Sequence, residues 1–150
     1  MGVGNQREVE RLVGVILDKN PNKARYRAFG YLNALAMKMS GGVSSLVITR
    51  AGSTIFEIAA WGLPSIVIPL PKSNGDHQRK NAYSYARSGA SIVVEEKNLT
   101  PHVLFSEIER LMGNQTMRTE MGNAAKGFFR PDASKKIAQE IIRIALKHEK

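Results

Sequence analysis

Two strand-to-helix junctions carry the residues with the widest chemical reach. The first is Thr49-Arg50-Ala51-Gly52-Ser53-Thr54-Ile55-Phe56-Glu57, where an apolar run gives way to a helical pattern. Gly52 permits a tight turn, and the free N–H groups that follow it, with the Ser53 and Thr54 hydroxyls and the helix dipole, form a seat for an anion such as phosphate. Arg50 stands beside that seat as a counter-charge. Glu57, one turn into the helix, is placed where a carboxylate can accept from two ribose hydroxyls. The same residues support a plainer reading, because Thr54-x-x-Glu57 is a capping box in which each side chain bonds the other's backbone N–H. Sequence leaves both readings open.

The second junction is Pro71-Lys72-Ser73-Asn74-Gly75-Asp76-His77-Gln78-Arg79-Lys80-Asn81. Asp76 or Asn74 is expected to cap the helix, with His77 and Asn81 sharing one face and Gln78 beside them at the mouth of the loop. A lone histidine is more often a solvated or capping group than an acid–base catalyst. Polar recognition of hydroxyls suits His77, Gln78 and Asn81 better than catalysis does, and Arg79 and Lys80 read as solvated charges.

The elements that must position these junctions follow from three β-branched runs, Ser45–Thr49, Ser65–Leu70 and Ser91–Glu95. Continuous apolar runs of this length read as strands buried on both faces. Between them lie helices predicted over Thr54–Trp61, closed by Gly62, and over Asp76–Arg87, closed by Gly89. The resulting βαβαβ unit predicts an α/β fold with a Rossmann-like, doubly wound parallel sheet and a ligand crevice at the carboxyl ends of its strands. Upstream, Arg7–Leu17 reads as a helix, Arg25–Phe29 as a short strand and Tyr31–Met39 as a helix ending at Gly41-Gly42. Downstream come helices over Pro101–Met112 and Thr116–Lys126, and one opened by Pro131-Asp132 whose Ile137, Ala138, Ile141, Ile142 and Ala145 form one apolar stripe. Such sheets ordinarily open with a strand and a glycine-rich turn, whereas this chain opens with a helix, so an N-terminally truncated domain is expected.

Length, composition and charge narrow the function. The 150 residues, 43% of them hydrophobic, suffice for one domain with one core. The net charge is +9, and between residues 19 and 94 ten bases face only Glu57 and Asp76. That field suits nucleotide diphosphates or an anionic membrane surface. No basic strand interleaved with aromatics is present to stack bases, so nucleic acid is not expected as a partner. Phe128, Phe129 and Trp61 read as packing groups. Without cysteine there is no disulfide, thiolate zinc site or cysteine nucleophile. No Gly-x-Ser-x-Gly, Gly-Lys-Ser/Thr, His-Glu-x-x-His or Asp-x-Asp pattern occurs, so neither a metal nor another cofactor is expected. The apolar stretch Leu63–Pro71 is too short and too interrupted by proline to span a bilayer, and a cytoplasmic protein, at most peripheral on the inner face of the plasma membrane, is expected.

Arg50-Ala51-Gly52-Ser53-Thr54-Ile55-Phe56-Glu57-Ile58-Ala59-Ala60-Trp61-Gly62-Leu63-Pro64, followed by Ile68-Pro69-Leu70-Pro71, Asp76-His77-Gln78 and Asn81-Ala82, resembles the C-terminal, sugar-nucleotide-binding half of the family-28 glycosyltransferases. The match runs from about Tyr26 into the C-terminal helix. Within the family it is greatest to members that move N-acetylglucosamine (GlcNAc) from UDP-GlcNAc onto a lipid-pyrophosphate-linked MurNAc-pentapeptide in peptidoglycan precursor synthesis. Related donor-binding halves occur in glycolipid glycosyltransferases and in a two-part transferase whose donor-binding subunit needs a separate acceptor-binding chain.

The resemblance implies a GT-B C-terminal domain with UDP-GlcNAc as donor, an inverting, metal-independent reaction, and a lipid-linked acceptor held by an N-terminal domain or partner chain outside residues 1–150. It implies that Glu57 binds the ribose hydroxyls, that Gly52, Ser53 and Thr54 face the diphosphate with Arg50 close by, and that Gln78 and His77 contact the sugar, with Asn81 supporting that loop. Many relatives carry glutamine at the position of His77. Phe29 and the Gly30 backbone match the segment that holds the uracil. The turn from Gly52 to Thr54 is one residue shorter than in many relatives, which leaves the separate roles of Ser53 and Thr54 open. No residue of this chain stands out as a catalytic base. In the family's strand order the run Ser45–Thr49 would expose an edge here, so either Arg25–Phe29 pairs with it or the chain self-associates through it. The competing reading is a basic docking domain for an anionic surface, indifferent to Glu57.

Overall fold

The computed structural model describes residues 3–148, the side chains of residues 3–5, 74 and 148 excepted. The chain divides into two compact units, residues 1–42 and 43–150. The first holds α1 (Val3–Ile16), a 3-10 turn (Lys23–Arg25) and most of α2 (Ala34–Val43). The strand expected at Arg25–Phe29 is not formed. Lys23–Arg25 instead winds into the 3-10 turn, fixed by Tyr26 N–H donating to the Lys23 carbonyl at 3.2 Å, and residues 26–29 beyond it form no strand. Helix α2 starts later than predicted, where the Asn33 side chain accepts from Ala36 N–H at 2.9 Å, and runs through Gly41 and Gly42 to Val43 instead of stopping before them.

The second unit is the predicted βαβαβ arrangement. Strands β1 (Val47–Thr49), β2 (Ser65–Val67) and β3 (Ser91–Val93) pair in parallel in the order β1-β2-β3, with Ile48 opposite Ile66 and Ile66 opposite Ile92. The strands are shorter than the apolar runs, but the ladder continues past them, because Ile68 N–H donates to the Thr49 carbonyl and Val94 N–H to the Val67 carbonyl. Helices α3 (Thr54–Trp61) and α4 (His77–Arg87) make the crossovers, and α5 (Pro101–Met112), α6 (Gln115–Phe128) and α7 (Ala133–His148) follow. Gly62 closes α3 in the left-handed conformation, φ 67° and ψ 41°, the geometry for which a glycine at that place is suited. Helices α5 and α6 open on Thr100 and Asn114, whose side chains accept from Val103 and Met117 N–H groups.

Successive residues of β2 point to opposite faces, which makes it the centre of two cores. Val67 packs with Ile55, Ala59, Ala82, Tyr85 and Ala125 on one face. Ile66 and Ile68 pack with Val94, Leu111 and Met121 on the other. Each face is thus covered by helices, as a doubly wound sheet requires. Phe128 belongs to the first cluster, stacked on Phe56 with ring centroids 6.1 Å apart and edge-on to Tyr85 at 5.0 Å, so its predicted packing role is realised. Helix α6 lies close enough to α3 that a Cβ on Gly122 would stand 2.5 Å from the Gly62 carbonyl oxygen.

Of the two alternatives for the edge of the sheet, the first does not occur. No described strand pairs with the outer edge of β1, so the Arg25–Phe29 pairing does not occur, and Ile48 on that edge is 44% exposed. The predicted C-terminal helix is formed as α7, and all its described side chains from Ala133 to Lys147 are exposed, Ile137, Ile141 and Ile142 among them. The helical period is there without a partner face to bury it. Among the described residues no helix is long and apolar enough to cross a membrane.

Candidate functional site

The carboxyl ends of β1 and β2 bring most of the predicted residues of the second unit to one rim. Helix α3 begins after the turn of residues 50–53 that follows β1, with Ser53 as its N-cap in helical conformation and no side-chain bond to the helix start. The helix opens on backbone contacts alone, Ile55 N–H to the Gly52 carbonyl at 3.3 Å and Phe56 N–H to the Ser53 carbonyl at 3.0 Å. The reciprocal Thr54–Glu57 capping box is therefore not formed. Glu57 is exposed and makes no hydrogen bond or ion pair among the described residues. What the capping reading would have occupied is left available to a ligand: N–H groups at a helix start and a carboxylate one turn in.

Gly52 lies in the turn between β1 and α3, as expected. Its backbone is not left-handed, and a Cβ there would meet nothing within 4 Å. The turn itself does not demand glycine, and its absent side chain leaves bare backbone beside the helix start.

Two side chains of α4 tie the rim together. Asn81 Nδ2 donates to the Ala51 carbonyl at 3.3 Å, so it ties the loop that starts α3 and not the loop of His77 and Gln78 that it was expected to support. Gln78 accepts from Leu70 N–H at 3.1 Å, anchoring the exit of β2. The cap of α4 is a residue that sequence reasoning passed over: Ser73 Oγ accepts from Gln78 N–H at 3.1 Å. Asp76, expected to do this, occupies the N-cap with φ 57° and makes no capping bond, its carboxylate pairing with Arg79 at 3.5 Å instead. The Asn74 side chain lies outside the described residues. His77 is exposed, and its Nε2 sits close to Gly75, 3.0 Å from where a Cβ on that glycine would be.

The cations are more engaged than solvated. Arg79 Nε donates to Glu95 at 3.1 Å, and the Tyr83 hydroxyl donates to the same oxygen at 2.7 Å. The Tyr83 hydrogen bond, reinforced by Arg79, holds the Glu95 carboxyl below the ordinary glutamate range. Lys80 Nζ donates to the Gly75 carbonyl at 3.1 Å, bracing the loop. Arg50 reaches across β2, where its Nη1 donates to the Ile68 carbonyl at 3.3 Å and pairs with Glu96. Neither glutamate was legible as part of the site, because an ion pair spanning 46 residues has no local sequence signal.

Phe29 and Gly30 belong to the first unit. Phe29 is 62% exposed and, with Gly30, Tyr31, Leu32 and Met37, lines a cleft of about 280 Å³. The Gln6 amide donates to the Ala28 carbonyl at 3.4 Å, and its Oε1 would stand 2.4 Å from a Cβ on Gly30. A more spacious cleft of about 400 Å³, lined by Phe56, Phe128, Phe129, Arg130 and Ala133, is apolar and has only Arg130 as an ionisable group. No cluster of metal-ligating side chains occurs among the described residues.

An open parallel sheet wound on both faces, with uncapped backbone and polar side chains gathered where its strands end, is a doubly wound, Rossmann-like α/β domain. The sequence model of the glycosyltransferase family 28 C-terminal domain matches residues 2–137. The chain belongs to that family. It is 35% identical over 142 residues to the UDP-N-acetylglucosamine--N-acetylmuramyl-(pentapeptide) pyrophosphoryl-undecaprenol N-acetylglucosamine transferase of Acetivibrio thermocellus, covering 94% of this chain and 36% of that protein. The protein of the same name from an Exiguobacterium species is 43% identical over 104 residues, 67% of this chain and 28% of the relative. The crystal structure of MurG from Acinetobacter baumannii superposes with a TM-score of 0.70 at 30% identity, covering 78% of this chain and 33% of that one. The chain thus spans about a third of the length of the relatives it matches.

Proposed function

We propose that this chain is the donor-binding half of a transferase that moves GlcNAc from UDP-GlcNAc to a lipid-pyrophosphate-linked MurNAc-pentapeptide, a step in peptidoglycan precursor synthesis. The observation that carries the reading is the uncapped start of α3 at the end of β1 with Glu57 free one turn inside, in a chain of this family. Glu57 receives the ribose hydroxyls, and Gly52, Ser53, Thr54 and Arg50 face the diphosphate. Gln78 and His77 contact the sugar, and Asn81 holds the loop. Phe29 and Gly30 receive the uracil. As the acceptor hydroxyl attacks the anomeric carbon with inversion, negative charge grows on the departing diphosphate, and the helix start and Arg50 stabilise it without a metal. The acceptor and the base that deprotonates it are held outside these residues, in a preceding domain or partner chain.

The reading places the protein in the cytoplasm, peripheral on an anionic membrane face to which its basic half is drawn. A second copy pairing along the outer edge of β1 is scored by sedimentation velocity. Calorimetric titration with UDP-GlcNAc in EDTA, with GDP-mannose as control, tests the donor site. Saturable binding of the uridine sugar alone is expected, and equal binding of both, or binding that needs a divalent ion, overturns it.

A further inference from the structure

We propose that Glu96, which the donor-site reading does not use, is a positioning residue for Arg50, fixing the guanidinium so that its bidentate edge faces an incoming phosphate. The inference rests on that reading for the identity of the anion. Arg50 directly follows β1, and Glu96 opens the 3-10 turn Glu96–Asn98 beyond β3, with β2 between them. Arg50 Nη1 carries two hydrogens, and both are consumed, one by the Ile68 carbonyl at 3.3 Å and one by Glu96 Oε2. Nε and Nη2 have no hydrogen-bond partner among the described residues. That remaining edge presents two parallel N–H donors, the fork that matches two oxygens of a phosphate.

The anchor is itself held. Asn98 N–H donates to the Glu95 carbonyl at 2.8 Å and Leu99 N–H to the Glu96 carbonyl at 3.1 Å, fixing the backbone of the turn. Its neighbour Glu95 cannot stand in, because its carboxylate is engaged by Arg79 and Tyr83. Arg50 and Glu96 are both more than a third exposed, so the pair adds little to stability and its removal leaves the fold intact.

Positioning and charge make opposite predictions. A carboxylate near the phosphate seat repels the ligand at long range, so if Glu96 acted only through its charge, removing it would tighten binding. If it positions Arg50, Glu96→Ala frees the guanidinium and weakens UDP binding about fivefold, through the ordering that the ligand must then supply. Glu96→Gln keeps an acceptor for Nη1 and restores most of the affinity. Uridine, which lacks the phosphates, binds all three proteins alike, and in an Arg50→Ala background Glu96→Ala has no further effect.

The same variants are titrated with inorganic pyrophosphate while the Arg50 Nε–H resonance is followed by NMR, which scores Glu96 without the nucleoside. A protein that fails to bind UDP, but whose Arg50 signal shifts with pyrophosphate in a Glu96-dependent way, overturns the donor reading and leaves the positioning role standing. Unchanged or tighter binding in Glu96→Ala overturns the positioning role. So do a Glu96→Gln variant as weak as Glu96→Ala, a loss that persists without Arg50, and an Arg50 signal that pyrophosphate does not shift.

Discussion

The side-chain amide of Asn81 donates across 3.3 Å to the carbonyl of Ala51, joining helix α4 to the loop that starts α3. The two residues are 30 apart in sequence, Ala51 in the loop that leaves β1 and Asn81 inside α4. Replacing Asn81 with alanine removes a partly buried hydrogen bond, with an expected loss of about 1 kcal/mol in urea unfolding. The loop at residues 51–54 loses its tie, and UDP affinity falls several-fold in calorimetry. Unchanged affinity would show that the loop needs no support from α4.

Glu57→Ala separates recognition from capping. The carboxylate bonds to nothing among the described residues, so the melting midpoint moves by less than the shift of about 0.5 kcal/mol typical of surface substitutions. In the proposed donor site two hydrogen bonds from the ribose to a charged acceptor are lost, and affinity for uridine nucleotides falls by about tenfold or more. A large loss of stability with UDP affinity intact would restore the capping box.

Gly52→Ala is expected to divide the same two quantities in the opposite sense. A Cβ at that position meets nothing and the backbone is not left-handed, so the variant gains about 0.4–1 kcal/mol from a less flexible unfolded chain. The same methyl stands beside the proposed phosphate seat, and UDP is expected to bind more weakly. Parallel melts and titrations decide it.

Beneath the sheet, the hydroxyls of Tyr85, Ser65 and Ser91 are buried without completed hydrogen bonds. Ser65 and Ser91 are register partners on β2 and β3, and Tyr85 lies beside Ser65. Burial pushes the Tyr85 hydroxyl up to about 12. In the unfolded chain the group ionises near pH ~10, so above that pH the unfolded state binds fewer protons than the folded one and stability falls as pH rises. The loss develops between pH ~10 and ~12 and amounts to on the order of 2 kcal/mol. Tyr85→Phe abolishes this alkaline difference and, below pH ~9, is as stable as the parent or up to about 1 kcal/mol more so. Urea midpoints of both proteins at several pH values are the measurement.

Gly122→Ala tests the closeness of α6 to α3. Its Cβ would lie 2.5 Å from the backbone oxygen of Gly62, which closes α3 and has no flexible end to swing aside. The helices must separate, at a cost of about 1–3 kcal/mol in unfolding free energy. A variant as stable as the parent would mean that α6 shifts freely.

The legible parts of this chain are those where local pattern and tertiary burial agree. Ser65–Val67 is β-branched and enclosed on both faces, so its run read correctly, and Gly62 and Gly89 marked helix ends by the left-handed turns they adopt. Arg25–Phe29 misled because a short mixed run carries no information about whether a ladder partner exists. The stripe of α7 gave the correct helix and no surroundings, since periodicity specifies a face and not what covers it. In the site, Asn81 and Gln78 could be found from their spacing after β2. Ser73, Glu95 and Glu96 could not, because their roles depend on which turns and strand ends meet in space.

The enclosed position of β2 also has a consequence for hydrogen exchange. The amides of Ile66, Val67 and Ile68 lie under two layers of helix, so deuterium reaches them only when the whole second unit opens. Helix α7, with no tertiary cover on its described side chains, exchanges by local fraying and is labelled long before them. The rim of the site hangs from the slowest-exchanging strand, while the C-terminal helix keeps a separate and much faster clock within the same unit.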